Sequence, residues 1–322
     1  MLRRLLSLFE PFILLLLTTV LLASIVPPRG AMAGVVATAA EVGIVLLFFL
    51  HGAKLSREAI WRGARNWRLH LAVFLTTFAL FPLLGVGLRH VPGIAPLVGT
   101  GLLFLTLLPS TVQSSIAFTA IARGNVAAAV CSASFSNLIG IVVTPALVAL
   151  LIGGIGGQGS GVSLSAVEAI VFQLLVPFVA GHLLRPWIGG LVTRWKGLVG
   201  IVDRGSILLV VYSAFGAAVV EGLWHKVSAG DLALIGGLCV ALLALVLAIT
   251  WFMGRMLGFS REDAIVLLFC GSKKSLASGV PMAGVLFAPA QVGVVLLPVM
   301  LFHQIQLIAC AVIARRYAAL SE

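Results

Sequence analysis

Ala264-Ile-Val-Leu-Leu-Phe-Cys-Gly-Ser-Lys-Lys-Ser-Leu-Ala-Ser-Gly-Val-Pro-Met-Ala283 is an apolar segment with two adjacent lysines, Lys273 and Lys274, at its centre. A cation at bilayer depth is costly, so it survives where it faces protein or a water-filled cavity. The flanking Gly271, Ser272, Ser275, Ser278, Gly279 and Pro281 predict that the helix is broken at the lysines. Broken helices near the membrane midplane are how many secondary transporters build their binding sites. The lysine pair is the expected functional centre.

The rest of the chain agrees with a membrane setting. Of 322 residues, 61% are hydrophobic and 10% charged, with a mean hydropathy of +1.19, which excludes a soluble domain. The net charge of +11 does not point to nucleic acid, because the basic residues lie between apolar spans instead of on one patch. Cys131, Cys239, Cys270 and Cys310 all fall within apolar spans and have neither disulfide nor metal spacing. The six histidines are dispersed without ligand spacing, so neither a metal nor a cofactor is expected. No nucleophile–base pair is visible, and an enzyme is not expected. The apolar run after Arg3 and Arg4 lacks a small-residue cleavage site and reads as a retained helix.

Apolar stretches of about 20 residues predict an all-α integral membrane protein with ten transmembrane helices. They fall at about 10–27, 33–53, 68–89, 96–121, 124–152, 164–185, 201–222, 230–255, 263–287 and 289–314. With both termini cytoplasmic, the inside segments hold sixteen of the 21 Lys and Arg, from Arg3 and Arg4 to Arg315 and Arg316. Arg29, Arg89 and Lys226 fall outside, and the remaining two are the buried pair. That asymmetry is the expected orientation signal. Five spans per half make the second half cross in the opposite sense, so 1–152 and 164–322 read as two inverted five-helix repeats. The uncharged, Gly-rich stretch 153–163 reads as an external linker. In each half the fourth span is the interrupted one, at Leu108-Pro-Ser-Thr-Val-Gln-Ser-Ser115 and at Cys270-Gly-Ser-Lys-Lys-Ser275. Matching interruptions point to a transport site.

These residues also carry a resemblance. Pro109-Ser-Thr-Val-Gln-Ser-Ser-Ile-Ala-Phe-Thr119, Ala122-Arg-Gly-Asn125 and Thr144-Pro145 resemble the bile acid:sodium symporter superfamily. His51-Gly-Ala-Lys-Leu55, Asp203-Arg-Gly-Ser-Ile207, the lysine-containing stretch 270–283 and Leu301-Phe-His-Gln-Ile-Gln306 narrow the match. They resemble the branch holding bacterial symporter-like proteins, the yeast calcium-uptake regulator and the seventh member of the human bile acid solute-carrier family. The resemblance implies a panel domain from helices 1, 2, 6 and 7, and a core domain from helices 3–5 and 8–10. Within the core, the discontinuous helices 4 and 9 would cross. It also implies secondary active transport of a small organic anion by alternating access. Its sodium ligands do not carry over. Ile116 stands where Asn is expected beside Ser114 and Ser115, Phe269 or Cys270 stands for Glu, and Lys273 and Lys274 fall at or beside the Gln and Asn. A fixed ammonium repels sodium, so coupling is expected to be sodium-independent or linked to protons.

One lysine is expected to take the place of a sodium ion, bonded to Gln113, Ser114, Ser115 and the unwound backbone from Gly271 through Ser272 to Ser275. Three donors and no acceptor make such oxygens suitable. Direct contact with an anionic solute and proton exchange are two further uses. The bland alternative is that one lysine locks the crossing while the other snorkels to a cytoplasmic cavity. Ser132, Ser134 and Asn137 on the next helix could bond to the lysines, or could simply pack helices together. The same choice holds for Thr111 and for the polar cluster of His303, Gln304 and Gln306. Glu41, Glu168 and Glu221 lie toward outer helix ends, so no carboxylate occupies the centre. Trp61, Arg62, Arg65, Trp67 and Arg68 read as an anionic-lipid anchor. Expected partners are therefore a small-molecule solute and the lipid bilayer of a bacterial inner membrane. The competing reading is a non-transporting membrane regulator of ion (calcium) homeostasis.

Overall fold

The computed structural model describes residues 11–54, 66–153, 168 and 171–320. Arg3 and Arg4, the loop stretch from Trp61 to Arg65, and the Gly-rich linker beyond Gly153 lie outside the described residues. Among the described residues, all regular structure is helical. A backbone in lipid must satisfy its own hydrogen bonds, which leaves helices as the available element for spans this apolar. The helices are α1 (Pro11–Ile25), α2 (Ala31–Lys54), α3 (Trp67–Arg89), α4 (Pro96–Leu107), α5 (Gln113–Ile121), α6 (Val126–Leu151), α7 (Val171–Arg194), α8 (Lys196–Val220), α9 (Leu223–Lys226), α10 (Ala229–Met256), α11 (Arg261–Gly271), α12 (Leu276–Leu286) and α13 (Pro289–Ala319). Seven of these, α2, α3, α6, α7, α8, α10 and α13, are long and apolar enough to cross a membrane. The protein is an integral membrane protein. Its outward faces carry large apolar side chains such as Leu83, Leu150 and Trp187, as expected where the solvent is hydrocarbon.

The chain divides into two compact units. One holds residues 1–55, 153–228 and 280–296. In it α2 packs against α7 and α8. The contact with α7 is backbone on backbone. A Cβ on Gly52 would strike the carbonyl of Phe178, and one on Gly181 would strike the carbonyl of Phe49. Lys54, at the end of α2, pairs with Asp203 on α8, so its ammonium is engaged within the protein. Tyr212 Oη donates to the Val26 carbonyl at 2.8 Å, tying the end of α1 to α8.

The other unit holds residues 56–152, 229–279 and 297–322. Asp263 in the first turn of α11 organises one end of it. Its carboxylate accepts from Asn66 Nδ2 at 2.7 Å and from Asn125 Nδ2 at 2.9 Å. Asn125 also caps α6 by accepting from the Ala128 N–H at 3.0 Å. One carboxylate thereby fixes the starts of α3, α6 and α11. Gly140 on α6 lies where a Cβ would come within 2.8 Å of Pro109, so the chain between α4 and α5 rests directly on α6.

The α2–α7 contact yields a test. Gly181→Leu is expected to lower stability by about 2 kcal/mol or more through overpacking, seen as a lower unfolding midpoint in detergent. Gly190→Leu, in the same helix but with open space at its Cα, should leave the midpoint unchanged.

Candidate functional site

Both predicted interruptions are present. Residues 108–112 separate α4 from α5, and residues 272–275 separate α11 from α12. The two breaks bond to each other: Ser275 N–H donates to the Pro109 carbonyl at 2.8 Å, and Ser110 Oγ donates to the Cys270 carbonyl at 2.6 Å. Ending a helix orphans its last carbonyls, and burial makes each orphan expensive. Around the first break four carbonyls find side-chain donors. The Leu107 carbonyl takes Thr144 Oγ1 at 2.8 Å, and the Ser110 carbonyl takes Asn137 Nδ2 at 2.6 Å. The Thr106 and Leu108 carbonyls take the Lys274 ammonium, at 2.8 and 2.7 Å.

The third oxygen on Lys274 has its own origin. The five residues from Thr76 to Leu80 form a π turn within α3. The Phe81 N–H there donates to the Thr76 carbonyl, and Pro82, next in line, has no N–H. Nothing in the helix can serve the Thr77 carbonyl, and Lys274 Nζ donates to it at 2.8 Å. An ammonium has three donors and no acceptor, and here all three meet backbone oxygens. The C-terminal end of α4, where the helix dipole is negative, faces the same charge. The face of Phe81 lies 4.2 Å from Nζ and completes the enclosure. Gln306 on α13 fixes the backbone of this residue from both ends. Its Oε1 accepts from the Lys274 N–H and its Nε2 donates to the Lys274 carbonyl, each at 2.9 Å.

Lys273 is as deeply buried, at 0% exposure against 1% for Lys274, but its partners differ. Its Nζ reaches Ser114 Oγ at 3.4 Å and lies over the rings of Phe118 at 4.4 Å and Phe269 at 5.6 Å. Ser114 belongs to a group of hydroxyls, with Thr111 Oγ1 at 2.8 Å from Ser114 Oγ and 3.0 Å from Ser115 Oγ. Ser115 Oγ donates onward to the Phe269 carbonyl at 3.1 Å.

The predicted site residues therefore separate. Thr111, Ser114 and Ser115 gather on the Lys273 side. Of the grouping expected around one lysine, the contact with Ser114 forms at Lys273, whereas Lys274 takes its oxygens from α3 and the end of α4. Gln113 is exposed at the start of α5. Asn137 joins the breaks, accepting from Ser278 Oγ at 2.7 Å while donating to Ser110. Ser275 Oγ accepts from the Ser278 N–H at 3.1 Å, and Ser272 Oγ donates to the Leu268 carbonyl. Gly271 packs against Thr76 and Thr250. Ser132 bonds to His70 Nδ1 at 2.7 Å, facing a groove of about 480 Å³ between α3 and α6. Ser134 points about 160° round the helix from Ser132 and Ser136. His303 Nδ1 lies 2.9 Å from Gln306 Nε2, while the buried amide atoms of Gln304 have no hydrogen-bond partner among the described residues. Sequence reasoning missed Thr77, Thr106 and Leu108, which act through backbone oxygens. The trace of the Thr77 carbonyl in the sequence is Pro82, which removes an N–H.

A family model described as the SBF-like CPA transporter family matches residues 10–319. An uncharacterized protein of Pseudomonas aeruginosa is 58% identical over 96% of this chain and 93% of its own. "Putative symporter YfeH" of Escherichia coli is 52% identical over 99% and 96%. The mouse "Sodium/bile acid cotransporter 7" is 27% identical over 86% and 82%.

The two lysines should respond differently to substitution. Lys274→Met strips three buried carbonyls of their partner and is expected to lower stability by about 3 kcal/mol or more. Lys274→Arg should not restore it, because a planar fork does not match three oxygens around a point charge. Lys273→Gln should change stability by about 1 kcal/mol or less. Unfolding midpoints of the purified variants in detergent check the order.

Proposed function

The chain belongs to the SBF-like CPA transporter family, and from that premise we propose that it is a secondary active transporter of a small organic anion. It works by alternating access and does not need sodium. The observation that carries this reading is the Lys274 ammonium held by three backbone oxygens between two helix breaks. Oxygen ligands are what a hard metal cation also takes, and here a side chain that cannot leave supplies the positive charge. The names of its relatives, a symporter and a sodium/bile acid cotransporter, support transport and suggest an amphipathic organic anion.

The rest of the reading follows from how the chain is divided. Counting α4 with α5 and α11 with α12 as one interrupted span each gives ten spans with α1, in two inverted repeats of five. The unit carrying α1, α2, α7 and α8 supports a panel domain, and the unit carrying α3–α6, α10 and α11 supports a core, while residues 280–296 of α12 and α13 fall in the first unit. Both termini are cytoplasmic in this reading, in a bacterial inner membrane, and movement of panel against core exposes the site alternately.

Counterflow in proteoliposomes tests the reading. Vesicles loaded with unlabelled cholate or benzoate should accumulate the labelled anion well above protein-free vesicles, and Lys274→Met should abolish the signal. No counterflow with any anion of such a panel, from a protein that remains folded, would favour the regulator of ion homeostasis instead.

A further inference from the structure

The two lysines are adjacent in sequence and equally buried, yet only one is saturated. Lys274 has three carbonyl acceptors at 2.7 to 2.8 Å. Among the described residues Lys273 has one hydroxyl, at 3.4 Å, and two aromatic faces. Two of its N–H donors therefore meet no acceptor among the described residues.

Counting protons on the neighbouring hydroxyls sharpens the contrast. The Phe269 carbonyl can only accept, so the Ser115 hydroxyl proton is used there. The Thr111 proton must then go to Ser115, and the Ser114 proton to Thr111. Every proton in this chain runs away from Lys273, leaving a lone pair of Ser114 as the acceptor its ammonium meets. Ser114 also lies in the first turn of α5, whose N-terminus has no side-chain cap and whose dipole is positive at that end. Lys273 and the start of α5 thus converge as donors on one spot, with the apolar rings of Phe118 and Phe269 beside it.

We propose that Lys273 is the residue that receives the anionic group of the transported solute, a carboxylate on an apolar body, while Lys274 remains a fixed part of the framework. This rests on the transporter reading above. Phe118, half-buried on a helix whose Gln113 and Ala117 are exposed, covers the ammonium in the present conformation. Its ring holds the charge by a cation–π contact, and the carboxylate replaces that contact when the solute binds.

Calorimetric titration of the full-length protein in non-ionic detergent with benzoate, against chloride at equal ionic strength, tests this. Wild type should bind benzoate, Lys273→Gln should bind it at least about 10-fold more weakly, and Lys273→Arg should recover part of the loss. Ser132→Ala, at the separate α3–α6 groove, should match wild type. Phe118→Leu removes the competing ring and should bind about 2- to 30-fold more tightly, a result that stands even if Lys273→Gln fails to fold. No benzoate binding by wild type, undiminished binding by Lys273→Gln, or unchanged or weaker binding by Phe118→Leu would overturn the assignment. Binding without counterflow of any anion would sink the transport reading and spare the site. Counterflow undiminished in Lys273→Gln would do the reverse.

Discussion

Three backbone carbonyls without helical partners, and one ammonium without a counter-ion, solve each other's problem in the interior of this protein. The Thr77 carbonyl is freed by the π turn and Pro82, and those of Thr106 and Leu108 by the end of α4. Buried without donors, each would destabilise the fold by about 1–3 kcal/mol. A buried ammonium without acceptors would be worse still. Joined, they hold α3, α4 and the break after α11 at one point, with no carboxylate involved. This explains how a lysine can occupy the interior of a unit that carries no acidic residue beside it.

The same accounting extends outward from that point. Helix breaks are stable in an apolar setting only when their freed groups find partners, and here the partners come from the other break or from α6 and α13. Ser110 links Cys270, Ser136 and Asn137, and Asn137 links Ser110 to Ser278. Gln306 reads both backbone groups of Lys274. Substituting any of these polar residues removes a bond from a network whose members cannot turn to water instead. The hydroxyl chain ending on Phe269 differs, because it leads to the less saturated lysine.

Much of this was legible before any coordinates. Apolar run length and the positions of Pro, Gly and Ser located both breaks, and two charges in an apolar segment marked the second of them. Side-chain partners such as Ser114 could be nominated because polar residues within apolar spans are conspicuous. Carbonyl partners could not, since every residue has one and only the three-dimensional path of the chain decides which are left free. Pro82 and Pro109 were visible, yet nothing in the sequence said that a lysine some 190 residues away would answer the loss of an N–H at Pro82. The division of labour between Lys273 and Lys274 was equally hidden. Adjacent residues of the same type look alike until their directions are known.

The central claim is that a tethered ammonium stands where a sodium ion would otherwise be needed. The most direct measurement is the unfolding midpoint of wild-type protein titrated with NaCl and, at equal ionic strength, with KCl and choline chloride. A ligand that binds the native state raises its stability by mass action. The account predicts three superimposable curves. A rise specific to sodium would show that a sodium site persists despite Lys274 and would contradict the claim.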